Sequence, residues 1–229
     1  MKNLDLYAKI EPLIGFYEEY EYLYEEYLHI LGEYSNLSTV LDVGCGNGNL
    51  LLYLQQKYQA EGIDLSSKMV EIAKSKGANA SFMNLKDVRG SYDAILAVAD
   101  VLNYLDDDSL EEFLLNVSTR LEKGGIFVFD INSRFGFEEV TAGSMSVDEG
   151  DQFLSIEAEF LDEILRTEIT LFERVEGSEC FTKEDEIIFQ YYHDIEKIVS
   201  KTDLKLVLVK DIALFTDASD KSLVVLRKL

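Results

Sequence analysis

Three glycines separate a short apolar segment from a leucine-rich one. The chain reads Val40-Leu41-Asp42-Val43-Gly44-Cys45-Gly46-Asn47-Gly48-Asn49 before its leucines. Glycines at this spacing let a backbone turn sharply and come close to a ligand. A helix that follows such a turn presents unpaired N–H groups to it. The segment therefore predicts a loop that binds a nucleoside-containing cofactor.

The residues around the glycines discriminate between cofactors. A dinucleotide fingerprint needs a third glycine where the chain has Asn49, and a P-loop would end in Gly-Lys-Ser/Thr, which is absent. Asp42 stands two residues before the first glycine. Its carboxylate would repel a pyrophosphate but suits a ligand that carries an ammonium and a sulfonium. This favours S-adenosylmethionine over NAD.

The elements around the loop alternate between strand and helix. Predicted strands are Thr39–Val43, Ala60–Asp64, Ala80–Met83, Tyr92–Val98 and Ile126–Ile131, with helices near 48–57, 67–76 and 109–122. A helix over 194–203 and the strands Lys205–Ala213 and Ser222–Arg227 follow as a pair at the sheet edge. Such alternation indicates a parallel sheet covered on both faces. We expect an α/β fold with a Rossmann-like, doubly wound, seven-stranded sheet, mostly parallel with an antiparallel last strand.

Two segments do not follow this alternation of strand and helix. Apolar and tyrosine positions recur every three or four residues from 9 to 33, which predicts one helix. Residues 152–192 alternate with the period of strands, which predicts an antiparallel meander with one solvent-exposed face. Between 148 and 196 the chain has sixteen acidic and three basic side chains.

Charge and composition limit the partners. The 229 residues carry a net charge of −23, which disfavours nucleic acid and anionic membranes and favours cationic or amine-bearing partners, besides conferring solubility. No apolar run is long enough for a membrane span, and no signal core begins the chain, so we expect a cytoplasmic protein. Cys45 and Cys180 fit neither a disulfide framework nor a zinc site, and we expect no metal.

The motifs together resemble those of class I S-adenosylmethionine-dependent methyltransferases. Residues 42–48 are similar to the first motif of that family, and Glu61-Gly62-Ile63-Asp64-Leu65-Ser66 ends the second strand in an acid. Asn84-Leu85-Lys86-Asp87 stands at the adenine-binding turn, where the family usually has Asp in place of Asn84. Residues 91–95 and 121–127 match the fourth strand and the turn into the fifth. The resemblance covers residues 38–131.

The resemblance implies S-adenosyl-L-methionine as cofactor, with S-adenosyl-L-homocysteine as product. An acid at the end of the second strand accepts hydrogen bonds from the ribose hydroxyls. The cofactor-binding residues implied are Asp42, Gly44, Cys45, Gly46, Asn47, Asp64, Leu65, Met69, Asn84, Leu85 and Ala99, with Tyr17 from the N-terminal helix. The domains implied are an N-terminal helical cap (1–34), a methyltransferase domain (35–147 and 194–229) and an antiparallel β insertion (148–193).

The segment 100–105, the tyrosine-rich first helix and the insertion are similar to those of small-molecule N-methyltransferases that act on sugar amines or glycine. By that resemblance the insertion is a substrate lid whose acidity selects an amine. A dimer surface is the equally open alternative, so the protein is expected as a monomer or a homodimer.

Methyl transfer is an in-line displacement, so the protein mainly positions its reactants and excludes water. An ammonium acceptor must first lose a proton. The candidates near the end of the fourth strand are Asp100, to orient the amine or accept its proton, and Tyr104, with Asn103 beside them; His193 is a candidate base. Loop shaping by Asp100 and a helix-start role for His193 are the structural alternatives.

The leading hypothesis is a methyltransferase that acts on a small-molecule acceptor at an amine nitrogen. The alternatives are a non-catalytic S-adenosylmethionine-binding partner or regulator, and a protein methyltransferase. Nucleic acid is excluded by charge and by the lack of an Asn/Asp-Pro-Pro-Tyr motif.

Overall fold

A seven-stranded sheet forms the centre of the computed structural model, which describes residues 5–229. Its strands are β1 (Thr39–Val43), β2 (Gln59–Asp64), β3 (Ala80–Phe82), β4 (Tyr92–Ala97), β5 (Leu121–Asn132), β10 (Lys205–Ile212) and β11 (Lys221–Arg227). They lie in the order β10-β11-β5-β4-β1-β2-β3. The last strand, β11, is antiparallel to both of its neighbours, and the pairs among β1 to β5 are parallel. The predicted fold class is confirmed.

Helices cover both faces of this sheet. They are α1 (Asp5–Ile14), α2 (Tyr17–Gly32), α3 (Asn49–Leu54), α4 (Ser67–Ser75), α5 (Asp107–Arg120) and α6 (Ile195–Ser200). Leu23 of α2, Leu51 of α3 and Ala73 of α4 bury one face. Leu114 of α5 and Ile198 of α6 bury the other face. Strands covered on both sides can carry uninterrupted apolar runs, as β4 does over Ala94–Ala97 and β5 over Ile126–Phe129.

The chain before β1 forms two helices. The prediction of one helix over 9–33 was wrong, because α1 ends at Ile14 and α2 begins at Tyr17. Gly15 lies between them with a φ of +77°, a left-handed conformation that ends a helix readily only at glycine. The apolar periodicity runs through the break, so it did not reveal the change of direction.

A second sheet contains β6 (Gly143–Asp148), β7 (Gln152–Leu161), β8 (Ile164–Arg174) and β9 (Phe181–Tyr191). All of its pairs are antiparallel, as predicted for the meander, and β6 is an additional edge strand. Asp162 and Glu163 have positive φ and form the two-residue turn between β7 and β8. The inner face packs Leu154, Ile169 and other apolar side chains against α1.

Short helical turns connect these elements near the carboxyl ends of the parallel strands. They cover Leu85–Asp87, Val101–Tyr104 and Gly136–Thr141. Across residues 5–229, no helix has the length and apolar character that a bilayer span requires.

Candidate functional site

The glycine loop joins β1 to α3 and is held against the end of β2. The backbone N–H groups of Gly44 and Cys45 donate to the carbonyl oxygen of Ile63, at 2.8 and 3.1 Å. Gly44, Gly46 and Gly48 have φ values of +76°, +51° and +79°. A Cβ at Gly48 would lie 2.8 Å from the Cβ of Ala73, whereas a Cβ at Gly46 would meet no atom within 4 Å. Gly48 is therefore required by packing, while Gly46 borders open space.

That open space is a cavity of about 800 Å³ at the carboxyl ends of β1, β2 and β4. Its roof consists of α1, the start of α2 and the inner face of the four-stranded sheet. The predicted site residues that line it are Asp42, Gly44, Cys45, Gly46, Asn47, Asp64, Leu65, Met69, Asn84, Leu85, Ala99, Asp100 and Tyr104. The structure thus brings together residues from four separate segments of the chain, 42–47, 64–69, 84–85 and 99–104.

Asp42 places a carboxylate under the glycine loop. It is 1% exposed, and its Oδ1 atom has no hydrogen-bond partner among the described residues. Burial, with a smaller contribution from Asp64, raises the pKa of Asp42 to about 7. A buried carboxylate oxygen without a donor is unfavourable unless a ligand supplies one. Asp42 therefore fits the ammonium group of a cationic ligand.

Asp64 ends β2 and closes the other side of the loop. Its Oδ2 accepts a hydrogen bond from the N–H of Gly46 at 2.9 Å, and its Oδ1 accepts one from Ser66 at 2.7 Å. Burial raises its pKa, although these backbone hydrogen bonds act in the opposite direction. Each carboxylate oxygen retains a lone pair for further donors. Asp64 therefore suits a pair of ribose hydroxyls.

Asn84 begins the turn Leu85–Asp87 as its N-cap. Its Oδ1 atom accepts a hydrogen bond from the N–H of Lys86 at 3.1 Å. The buried side chains of Leu85 and Met69 line the cavity beside it. This corner offers apolar walls and polar edges, which suit a planar heterocycle such as adenine.

Asp100 follows β4 in a strained turn. Ala99 and Asp100 have φ values of +62° and +64°, unusual for residues with a Cβ. Asp130 stabilises the turn, since its carboxylate accepts from the N–H of Ala99 at 2.8 Å and of Asp100 at 3.2 Å. Lys221 contacts the Asp100 carboxylate and lies 3.1 Å from Oδ2 of Asp130. The sequence did not suggest Asp130 and Lys221 as site residues. The signal that could have found them is the charge itself, because Asp130 lies within an apolar strand and Lys221 begins one.

Two predicted residues do not line this cavity. His193 is 2% exposed, its Nε2 atom lies 2.8 Å from the carbonyl oxygen of Leu105, and burial lowers its pKa. His193 lies buried between β9 and α6, away from the cavity, which corrects the expectation that it faces the cavity as a base. Tyr17 is the first residue of α2 and is 50% exposed. The tyrosines that line the cavity instead are Tyr7, Tyr20, Tyr24 and Tyr104.

Asn103 is also structural. Its side-chain N–H group donates to the carbonyl oxygen of Tyr191 at 2.8 Å, and its Oδ1 accepts from the N–H of Asn132 at 3.0 Å. Asn103 is completely buried and joins the end of β5 to the end of β9. It fixes the four-stranded sheet above the carboxyl edge of the larger sheet.

The acidic side chains of the β insertion (148–193) do not line the cavity. The contribution of the insertion to the lining is mainly apolar, with Ile156, Ala158, Leu165, Thr167, Ile169, Ile188 and Gln190. Within residues 5–229, no acidic side chain of the insertion lines the cavity. The carboxylates that do are Glu11, Glu19, Asp42, Asp64, Asp100 and Glu112, against the two lysines Lys86 and Lys221. The lining favours a cation, but through residues outside the insertion.

Comparisons with known proteins agree with this geometry. Residues 40–125 match the family described as "Methyltransferase domain". No curated protein matches the sequence. The fold is similar to an S-adenosylmethionine-dependent methyltransferase from Clostridium acetobutylicum ATCC 824, with a TM-score of 0.77, 23% identity and coverage of 97% of this chain and 96% of that one.

Two further solved structures have the same fold. DesVI from Streptomyces venezuelae has a TM-score of 0.76 at 16% identity, with 97% of this chain and 98% of that one covered. The sugar N-methyltransferase KedS8 from Streptoalloteichus sp ATCC 53650 has a TM-score of 0.74 at 16% identity, with 99% and 93% covered. Both likenesses extend over the second sheet as well as the larger one.

Proposed function

We propose that this chain, whose residues 40–125 match the family described as "Methyltransferase domain", is a class I S-adenosylmethionine-dependent methyltransferase that acts on the amine nitrogen of a small molecule. The observation that carries the proposal is the unpartnered, buried oxygen of Asp42 in a cavity lined by six carboxylates. Such a cavity attracts cations and repels anions. Both the cofactor and the product of amine methylation are cationic.

The cofactor-binding residues fit S-adenosylmethionine segment by segment. Asp42 and the glycine loop would hold the methionine part, Asp64 the ribose and the corner at Asn84 and Leu85 the adenine. The bound cofactor supplies an electrophilic methyl group on a sulfonium. The protein supplies position: the loop fixes one reactant, and the roof of α1 and the second sheet excludes water.

An amine acceptor is supported by the charges beyond the glycine loop. Methyl transfer to nitrogen creates positive charge on that nitrogen, and a nearby carboxylate stabilises it. Asp100 provides such a carboxylate at the end of β4. Of the two lining lysines, Lys221 is paired with carboxylates and Lys86 is exposed at the turn beside Asn84. The acceptor we infer is therefore an amine with an apolar body and no phosphate.

Radiolabelled methyl transfer to matched acceptors tests this function. Each primary amine in the panel is compared with its hydroxyl analogue and with a phosphate-bearing amine of similar size. We expect transfer to apolar amines, little to their alcohols and little to the phosphate-bearing compounds. Preferred transfer to the phosphate-bearing amines would contradict the inferred acceptor.

Calorimetry with S-adenosylmethionine tests the cofactor separately. We expect micromolar binding that is lost in Asp64→Ala and in Gly44→Val, because a Cβ at Gly44 would lie 2.7 Å from Cγ2 of Val101. Binding that survives both substitutions would overturn the assigned site. Binding without turnover would identify a regulatory protein. Transfer of the labelled methyl group to proteins of a cell lysate would identify a protein methyltransferase.

A further inference from the structure

Lys221 is a charged residue in an unusual place. It begins β11 opposite Asn132, and it is 1% exposed. Its Nζ atom contacts the carboxylates of both Asp100 and Asp130. Burying an ammonium group is unfavourable unless carboxylates and hydrogen bonds compensate the lost hydration. Apolar packing alone therefore does not explain a buried lysine at the border of the cavity.

Asp100, Asp130 and Lys221 form a charged cluster, of which Asp130 is the buried end. It is completely buried, and its Oδ1 accepts from the hydroxyl of Tyr27 at 2.7 Å as well as from the N–H of Ala99. Its Oδ2 faces the N–H of Asp100 and the Nζ of Lys221. With four donors around it, Asp130 has no freedom to turn toward the cavity.

Asp100 is the open end. One of its oxygens, Oδ1, contacts Lys221, while its side chain is 20% exposed and lines the cavity. The cluster thus runs from a buried anchor through a lysine to a carboxylate at the cavity wall. Other titratable groups near the cluster are Tyr24 and Tyr27 of α2, which interact electrostatically with Asp130 and with Asp42 of β1. Asp220, the buried chain neighbour of Lys221, accepts hydrogen bonds from the N–H groups of Leu214 and Phe215.

We propose that Lys221 is a positioning residue for methyl transfer, which keeps Asp100 ionised and directs its free oxygen at the acceptor nitrogen. This rests on the proposed function. The acceptor loses its proton to solvent before the step and enters as the free amine. The nitrogen lone pair forms the new C–N bond, the C–S electron pair stays on sulfur, and the product leaves as a methylammonium beside Asp100.

The charges of the cluster support this role. With both carboxylates ionised and Lys221 protonated, its net charge is −1, which complements a nitrogen that becomes positive. Burial raises the pKa of Asp130 to about 6 and lowers that of Lys221 to about 7, whereas their mutual attraction favours both charged forms. Without the lysine, two neighbouring carboxylates would share a proton, and the pKa of Asp100 would rise.

The test compares Lys221→Met with Lys221→Arg. In the methionine variant we expect kcat to fall about tenfold or more on the acid side of its pH profile, and the acid limb of kcat, which reports groups of the bound complex, to move up by about one pH unit. The arginine variant restores the cation and with it the wild-type limb. Affinity for S-adenosylmethionine stays near wild type in both. Lys210→Met, which breaks an ion pair with Glu26 away from the cavity, is the matched control.

A pH-independent loss, or no loss, in Lys221→Met would overturn the proposal. If that variant does not fold, Lys221→Gln removes the charge but keeps an N–H donor beside the two carboxylates. The same upward shift of the acid limb is expected there, and an unchanged limb would overturn the proposal.

A second measurement does not depend on turnover. Carbon NMR of labelled aspartate carboxyl groups, assigned with Asp100→Asn, follows the Asp100 titration directly. We expect its pKa to rise when Lys221 is replaced by methionine, and an unchanged pKa would refute the role of Lys221. Absence of transfer to every amine by the wild-type protein would instead refute the proposed function.

Discussion

Ionisation of the buried Asp42 carboxylate disfavours folding but favours the binding of a cation. Its pKa is raised to about 7 in the folded protein, so the folded state holds the proton more tightly than the unfolded chain does. This residue therefore favours folding at low pH, and its contribution is lost as the pH rises through about 7. A cation in the cavity compensates the ionised carboxylate. Binding of S-adenosylmethionine and ionisation of Asp42 should be coupled.

The coupling predicts pH-dependent affinity. Because the ligand is a cation, its affinity rises as Asp42 ionises, by about tenfold between about pH 5.5 and pH 7. This range lies below the titration of an α-amino group at about 7.7–8.0, which would complicate the reading. Calorimetry in buffers with different ionisation heats would also detect a released proton. A flat wild-type curve, or an equally steep one in Asp42→Asn, would contradict the prediction.

At the residue scale, the sequence predicted what is local. Asp42 and the glycines are neighbours in the chain, and their chemistry can be read from one short segment. Lys221 and Asp130 are 91 positions apart and meet only because β11 pairs with β5. His193 was expected at the cavity because a loop between strand and helix is usually exposed, whereas tertiary packing buries this one away from the cavity.

At the scale of elements, the glycine loop separates two requirements. A side chain at Gly48 meets Ala73 of α4 and Ala78, whereas a side chain at Gly46 enters the cavity. One position therefore serves the fold and the other serves the ligand, within three residues.

We predict opposite effects for two alanine substitutions. Gly48→Ala should lower the free energy of unfolding by about 3 kcal/mol, through overlap and a left-handed φ. Gly46→Ala should cost only about 1 kcal/mol but lower the affinity for S-adenosylmethionine at least about tenfold, because its methyl group occupies ligand space. Denaturant melts and calorimetry on both variants check this. Wild-type affinity in Gly46→Ala would show that the ligand does not approach the loop there.

The helix α1 connects the two sheets above the cavity. Glu11 accepts a hydrogen bond from Asn47 of the glycine loop at 2.7 Å. Lys9 forms ion pairs with Glu173 and Glu184 on the four-stranded sheet. One helix therefore depends on both walls of the site for its position.

Removing one of these contacts should speed cofactor release. The Lys9 side chain is 30% exposed, so its ion pairs contribute at most about 1 kcal/mol, and Lys9→Met should raise the dissociation rate about two- to fivefold. Stopped-flow displacement measures this rate. High salt should produce a similar increase in the wild type and little in the variant; equal salt effects in both would argue against the ion pairs.

Elements with a strong period were predictable, and their connections were less so. The strands β1, β4 and β5 were recognisable because most of their residues are apolar, as expected for strands covered on both faces. The break at Gly15 escaped prediction because a single left-handed residue redirects a helix without changing its periodicity. The strand β6 escaped because its sequence, Gly-Ser-Met-Ser-Val-Asp, is too polar to indicate a strand without its partner β7.

For the whole molecule, the excess of 44 acidic over 21 basic side chains acts on stability. Like charges repel one another in the compact state, and salt screens them over a Debye length of about 10 Å at 0.1 M. The melting temperature should rise between about 20 mM and about 500 mM sodium chloride. A neutral osmolyte at equal osmolality serves as control. A melting temperature that falls with salt would mean that attractive ion pairs outweigh the repulsion.

The tyrosines around the cavity have an optical consequence. The chain has no tryptophan, so its ultraviolet emission comes from tyrosine alone. Tyr7, Tyr20, Tyr24 and Tyr104, four of thirteen, line the space that a ligand would fill. An adenine or an aromatic amine placed among them would alter the light that the protein emits. The tyrosine fluorescence of the unlabelled protein should therefore report whether a ligand occupies the cavity.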